Sequence, residues 1–306
     1  MNNPSKTTLL FSIILTCCIT VFSQDNNSSL DAITVVAPGA TLQLVSNQFT
    51  FTEGPAVDKQ GNIFFTDQPN DKIWKYDTNG KLSLFMEKTG RSNGLYFDGK
   101  GNLIACADEK GELWSINKYG KITVLLDNLG GHRMNGPNDL WIDPKGGIYF
   151  TDPYYQRDYW ERQKPEIDKQ NVYYLPKGGK QAVIVDSMLV RPNGIVGTPD
   201  GKYLYVADIG DSKTYRYHIN TDGSLTNRQL FVSMGSDGMT LDSEGNLYLS
   251  GKGVTVFDKT GAELGNIPVP APWTANICFG GKNKNILFIT ATEAVYTLQM
   301  KVKGSQ

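Results

Sequence analysis

The 306-residue chain carries almost no net charge, with 30 Lys and Arg against 31 Asp and Glu. Such a balance builds no long-range basic field, which argues against nucleic acid or an anionic membrane as a partner and favours a small, neutral or mildly anionic molecule. Histidine is nearly missing, since only His132 and His218 occur. A His-rich zinc centre is thereby excluded. A Ser-His-Asp triad would have to recruit one of these two, and neither sits in a G-x-S-x-G context. Cysteine is equally scarce: of four, Cys17 and Cys18 lie in an N-terminal apolar run, leaving Cys106 and Cys278 for the body of the protein. Two cysteines cannot form a disulfide framework, and whether they pair is open. Helical periodicity of useful length is absent almost throughout.

The apolar run, "TLLFSIILTCCITVF" at 8–22, follows Lys6 and is shorter than the ~20 residues of a spanning helix. With "VFS" before Gln24 it has the form of a signal peptide over 1–23, which predicts a periplasmic or secreted protein with no membrane association after cleavage. A lipid-anchored form is the weaker alternative, because neither Cys17 nor Cys18 follows a suitable small residue. Residues 24–39, opening with "QDNNSS", are expected to be a polar linker, and the folded domain is expected over 40–301.

What the chain has in quantity is repetition. "GNIFFTD" at 61 returns as "GNLIACAD" at 101, "GGIYFTD" at 146, "GKYLYVAD" at 201, "GNLYLS" at 245 and "KNILFITA" at 284, at spacings of 40, 45, 55, 44 and 39. Intervals of this length in a strand-rich chain indicate propeller blades. Eight residues ahead of each copy another strand begins: "EGPAVD" at 53, "NGLYFD" at 93, "NDLWID" at 138, "NGIVGTPD" at 193, "DGMTLD" at 237 and "NICFG" at 276. Third strands follow every copy and fourth strands follow five of them. The sixth copy runs out of chain near Lys301, while "TLQLVS" at 41–46 precedes the first copy and has no partner of its own. The predicted fold is an all-β six-bladed propeller of four-stranded blades, with the N-terminal strand completing the last blade and removing an open edge.

The first strand of a propeller blade lines the central channel, so Glu53, Asn93, Asn138, Asn193, Asp237 and Asn276 should converge although they lie far apart in sequence. All six carry side-chain oxygens, the ligand type of a hard divalent cation. Turn chemistry accounts equally well for Asn93 and Asn276, but not for Glu53, which is a poor turn former.

The stretches "FTEGPAVDKQGNIFFTD", "RMNGPNDLWIDPKGGIYFTDP", "RPNGIVGTPDGKYLYVAD" and "SDGMTLDSEGNLYLS" resemble the gluconolactonase and senescence-marker-protein (regucalcin-like) family over roughly residues 40–300. The resemblance implies a six-bladed propeller holding one divalent cation in its channel, Ca²⁺ first and Mg²⁺, Mn²⁺ or Zn²⁺ as alternatives. It also implies a metal set of Glu53, Asn138, Asn193 and Asp237. Asp237 would serve as general base, and Asn138 and Arg133 would contact substrate. An acidic substrate contact of some animal members has no counterpart here, because its position falls near Tyr155 and Gln156.

Outside that set, His132 adjoins Arg133 on a loop toward the channel and is a candidate substrate contact. The long third interval contains "YYQRDYWERQKPEIDKQ" at 154–170, whose tyrosines, Tyr155 among them, and Trp160 are candidates for shaping a pocket. Asp67, Asp108, Asp152 and Asp208 recur at second-strand ends and are expected to be turn caps. Trp74, Trp114 and Tyr174 are expected to pack between blades. The expected activity is metal-dependent hydrolysis of a small sugar lactone to the aldonic acid. The rivals are hydrolysis of another ester or phosphotriester, and a binding propeller whose cation is structural.

Overall fold

A computed structural model of the chain describes Met1, Leu30 and residues 33–306. The signal-peptide reading of 1–23 therefore lies, Met1 aside, outside the described residues. The stretch expected as a linker over 24–39 is not polar at its end: Ile33, Val35 and Val36 are buried in the apolar cluster between the last two blades. The Lys301 N–H donates to the Val35 carbonyl at 2.9 Å, so this segment is pinned to the fold by backbone as well as by side chains.

The described residues form six four-stranded antiparallel sheets. The first is β2 (Thr52–Val57), β3 (Ile63–Asp67), β4 (Lys72–Tyr76) and β5 (Leu82–Glu87), and the second is β6 (Ser92–Phe97), β7 (Leu103–Ala107), β8 (Glu112–Ile116) and β9 (Ile122–Leu126). The third comprises β10 (Leu140–Ile142), β11 (Ile148–Asp152), β12 (Asn171–Leu175) and β13 (Val183–Asp186), and the fourth β14 (Pro192–Gly197), β15 (Tyr203–Asp208), β16 (Lys213–Ile219) and β17 (Leu225–Val232). The fifth comprises β18 (Met239–Leu241), β19 (Leu247–Gly251), β20 (Gly253–Phe257) and β21 (Glu263–Ile267). The sixth has β22 (Asn276–Gly280), β23 (Ile286–Ala291) and β24 (Ala294–Gln299), and its outer strand is β1 (Gln43–Ser46), paired Gln43 to Thr297 and Leu44 to Tyr296. The fold is a six-bladed propeller closed by its N-terminal strand, as the unpaired "TLQLVS" predicts.

The first two strands of most blades are joined by an aspartate-led turn. Asp58, Asp98, Asp143 and Asp242 each accept backbone N–H groups from the residues two and four places on, at 2.7–2.9 Å. Glycine closes the turn where φ must be positive, as at Gly61 (+89°) and Gly146 (+91°). Asp67, Asp152 and Asp208 are structural caps, though of the chain entering each inner strand rather than of the turn that follows them: Asp67 takes the N–H groups of Thr50 and Phe51, Asp152 those of Asn135 and Gly136, and Asp208 those of Val190 and Arg191.

Because each sheet is apolar on both faces near the axis, the core is a ring of clusters between neighbouring blades rather than one central mass. The aromatic stripe contributes to it: Trp74 packs edge-on to Phe49 at 5.5 Å, and Tyr174 against Tyr149 at 4.5 Å. Cys106 and Cys278 are both free and buried.

Candidate active site at the mouth of the channel

The inner strands meet closely because glycine follows most of the six channel residues. A Cβ on Gly54 would lie 2.1 Å from the Asn93 carbonyl oxygen, one on Gly94 2.5 Å from that of Asn138, and one on Gly238 2.0 Å from Cγ of Asn276. No larger residue permits that approach. The pairing of β2 with β3, β6 with β7 and β14 with β15 is bulged at Glu53–Ala56, Ser92–Leu95 and Pro192–Ile195. These bulges re-aim Glu53, Asn93 and Asn193 where a regular strand would alternate faces. Asn138 and Asp237 reach the same level by a different route, two residues ahead of the short strands β10 and β18.

Glu53, Asn93, Asn138 and Asp237 open on a cavity of about 260 Å³, with Asn193 behind them on Asp237. Its polar wall is Glu53, Gln68, Asn93, Asn138, Arg157 and Asp237, and its apolar wall is Phe51, Tyr155, Ile209 and Trp273. Two larger grooves, of about 580 and 520 Å³, lie between the first three blades at the opposite end of the ring, around the aspartate-led turns. The aspartates that line them, Asp58, Asp98 and Asp143, are committed to the N–H groups of their own turns, so the smaller cavity is the chemical site.

Within it Asp237 is held from both sides. Asn193 donates its amide to Oδ1 at 2.8 Å and Trp273 its indole N–H to Oδ2 at 2.6 Å. The same Asn193 nitrogen reaches the Tyr155 hydroxyl at 3.0 Å. With its nitrogen so engaged, the buried Asn193 Oδ1 has no hydrogen-bond partner, and neither has the buried Asn93 Oδ1. The Glu53 carboxylate accepts the Gly54 N–H at 3.0 Å.

Burial, reinforced by the neighbouring Asp237 and Asp139 carboxylates, holds Glu53 well above the usual carboxylate range. Burial also pushes Asp237 up to about 6, against the hydrogen bonds from Trp273 and Asn193 and the charge of Arg157, which pull it down. Deeper in the channel burial raises Asp139 to about 7, opposed by the Leu140 N–H and the Asn276 amide. Glu53 and Asp237 thus share a cavity whose one lining cation among the described residues is Arg157, with Asp139 close behind them in the channel.

Orphaned amide oxygens beside mutually repelling carboxylates are the donor set of a hard cation, so the residues fit a Ca²⁺-like ion. Among the described residues no group of three or more His, Cys, Asp and Glu is placed to hold a metal. The amide oxygens and water must therefore complete any such shell.

The structure brings Glu53, Asn138, Asn193, Asp237 and Tyr155 together and leaves two expected residues outside. His132 is exposed in a tight turn bridged to Leu129. Arg133 does not line the cavity: its guanidinium donates to the Glu109 carbonyl and lies 5.8 Å from the Trp160 ring. The cation that does reach the cavity is Arg157, from the long loop after β11, with its Nε 2.9 Å from Asp108 and its guanidinium 5.5 Å from the Tyr155 ring. Asp139, Trp273 and Arg157 are the functional candidates that sequence reasoning missed. Asp139 alone carried a signal, since it follows Asn138 where the first, second, fourth and fifth repeats have glycine.

Residues 51–293 match the SMP-30/gluconolactonase/LRE-like region. A gluconolactonase of Zymomonas mobilis is 29% identical over 318 aligned positions, covering 94% of this chain and 87% of that protein. A solved gluconolactonase of Xanthomonas campestris superposes with a TM-score of 0.81 at 28% identity, over 87% of this chain and 91% of the other. A calcium-binding regucalcin of Agrobacterium tumefaciens, 19% identical, shares the fold with a TM-score of 0.74 over 87% of this chain and 95% of its own. The chain belongs to the SMP-30/gluconolactonase/LRE-like family.

Proposed function

We propose that the protein hydrolyses a small sugar lactone, such as gluconolactone, to the aldonic acid, with one divalent cation held by Glu53, Asn138, Asn193 and Asp237. Ca²⁺ suits the all-oxygen donor set best, with Mg²⁺, Mn²⁺ and Zn²⁺ as alternatives. The observation that carries this reading is the meeting of Glu53, Asp237 and the partnerless oxygen of Asn93 at one cavity, with Asn193, its own oxygen partnerless, bonded to Asp237 just behind the wall. A volume of about 260 Å³ lies below the usual range for drug-sized ligands, which favours a single sugar ring over a long-chain or aryl ester. The related gluconolactonases of Zymomonas and Xanthomonas support the same substrate class.

When bound, the cation polarises the lactone carbonyl. Asp237 accepts a proton from the attacking water, its carboxylate fixed by Asn193 and Trp273 so that no reorientation is needed at the moment of transfer. The ring C–O bond breaks, and the leaving alkoxide recovers that proton to give the hydroxy acid. Arg157, whose terminal NH₂ groups are not committed to Asp108, donates to the carbonyl oxygen as negative charge gathers there, and so takes the substrate contact expected of Arg133. Tyr155 and Trp273 form the flat apolar walls that seat the ring. The apolar run at 8–22 supports export, so the proposed place of action is the periplasm or the medium.

A panel of sugar lactones, aryl esters and organophosphates, followed by acid release, tests the reading. The wild type should prefer lactones, and Asp237→Asn should lose about 10²- to 10⁴-fold in rate while keeping its fold. Undiminished hydrolysis by Asp237→Asn would overturn the assignment, and a preference for the phosphotriesters would move the substrate class.

A further inference from the structure

Asp108 differs from its three counterparts at second-strand ends. Asp67, Asp152 and Asp208 spend their carboxylates on the backbone entering their own blade's inner strand. In the second blade that task falls to Asp71, whose Oδ1 takes the N–H groups of Thr89 and Arg91, both at 2.8 Å, and the Thr89 hydroxyl at 2.9 Å. Asp108 is thereby released. Its Oδ2 instead accepts the Tyr159 hydroxyl at 2.6 Å, Arg157 Nε at 2.9 Å and Gln68 Nε2 at 3.2 Å, and its backbone carbonyl accepts the Trp160 indole at 3.2 Å.

Three of these four donors belong to the long loop that follows β11, and the fourth, Gln68, lines the cavity. The other carboxylate oxygen, Oδ1, is buried without a hydrogen-bond partner and faces Gly136, where an added Cβ would lie 2.6 Å away. A second clamp supports the first, with the Arg91 guanidinium 4.3 Å over the Tyr159 ring.

We propose that Asp108 is a positioning residue: it docks the loop 154–170 over the channel mouth and fixes Arg157 there with its terminal NH₂ groups turned to the substrate. The inference rests on the lactonase reading for its kinetic consequence, though not for the docking itself. A charged acceptor holding a guanidinium through Nε leaves the fork's other donors free while removing most of its rotational freedom. Among the described residues Asp108 hydrogen-bonds to the cavity wall through Gln68 and Arg157, and of these two Arg157 alone brings charge to the substrate, so its effect on rate passes through Arg157.

A double-mutant cycle on lactone hydrolysis separates this role from a general structural one. Asp108→Asn and Arg157→Gln should each lower kcat/KM by about 10- to 100-fold. The double variant should be within about threefold of Arg157→Gln alone, because the partner through which Asp108 acts is already gone. Multiplied losses, or wild-type activity in Asp108→Asn, would overturn the proposal. Tyr159→Phe keeps the test open should Asp108→Asn not fold: a smaller loss in the wild-type background must vanish in the Arg157→Gln background, and a loss persisting there would count against it. Limited trypsin digestion supplies a readout independent of activity, since Arg157, Arg162 and Lys169 lie in the loop. Asp108→Asn should be cut there at least tenfold faster than the wild type at unchanged Tm, and an equal rate would refute docking. A wild type that hydrolyses no lactone but shows this trypsin difference would defeat the lactonase reading and leave the docking standing.

Discussion

Proline substitution in β1 tests ring closure with little interference from side chains. Leu44 is 55% exposed, so loss of its side chain costs little burial, and the measured change reports the backbone. In an antiparallel pair, successive residues point their N–H groups alternately toward and away from the partner strand. Gln43 and Leu44 face Thr297 and Tyr296 of β24, and β1 is the outer strand of its sheet, so one of these two N–H groups enters the ladder and the other meets solvent. Gln43→Pro and Leu44→Pro should therefore differ. The inward position loses a hydrogen bond of about 1 kcal/mol and forces the strand off β24, together about 3 kcal/mol. For a domain of about 270 residues that is a fall of roughly 6 °C in Tm by calorimetry, while the outward position should stay within about 2 °C of wild type. Two variants that both melt at the wild-type temperature would refute closure by β1.

Other consequences follow from the same geometry. Gly238→Ala places a Cβ 2.0 Å from Cγ of Asn276, whose amide is held by Asp139 and the Ile277 N–H, so it should cost about 1–3 kcal/mol and roughly 2–6 °C in Tm by calorimetry. Burial raises Asp152 from its ordinary 3.8 to about 7, so the folded state holds this proton more tightly than the unfolded chain. The stability it contributes is complete below pH 4 and is lost as pH rises through 7; urea titrations between pH 4 and 8 should show this slope flattened in Asp152→Asn.

The ring was legible because every blade repeats an apolar strand at one spacing and most precede it with an aspartate- and glycine-led turn, and the missing sixth outer strand matched the spare "TLQLVS". The channel residues were legible for the same reason, as six oxygen carriers in one register. What escaped notice lies where repetition stops. Trp273 comes from the irregular chain between β21 and β22, and Arg157 from an insertion with no counterpart in the other blades. Arg133, adjacent to a strong motif, turns instead toward the Glu109 carbonyl because the strand it precedes begins only at Leu140. Asp139 is hidden inside "NDLWID", one place beyond the register that marks the ring. An irregular approach to β10 leaves its side chain buried beside Asn276 in the channel. The repeat-wide reading of Asp108 as a cap failed for a local reason, the presence of Asp71 between β3 and β4 of the preceding blade.

Calorimetric titration of the chelator-treated protein with Ca²⁺, Mg²⁺, Mn²⁺ and Zn²⁺, repeated on Glu53→Gln and Asp237→Asn, goes straight to the claim that distant side chains build one cation site. One ion per chain should bind the wild type, with the heat lost in both variants and lactone hydrolysis returning as the site fills. No binding of any of the four ions, or undiminished binding in both variants, would contradict it.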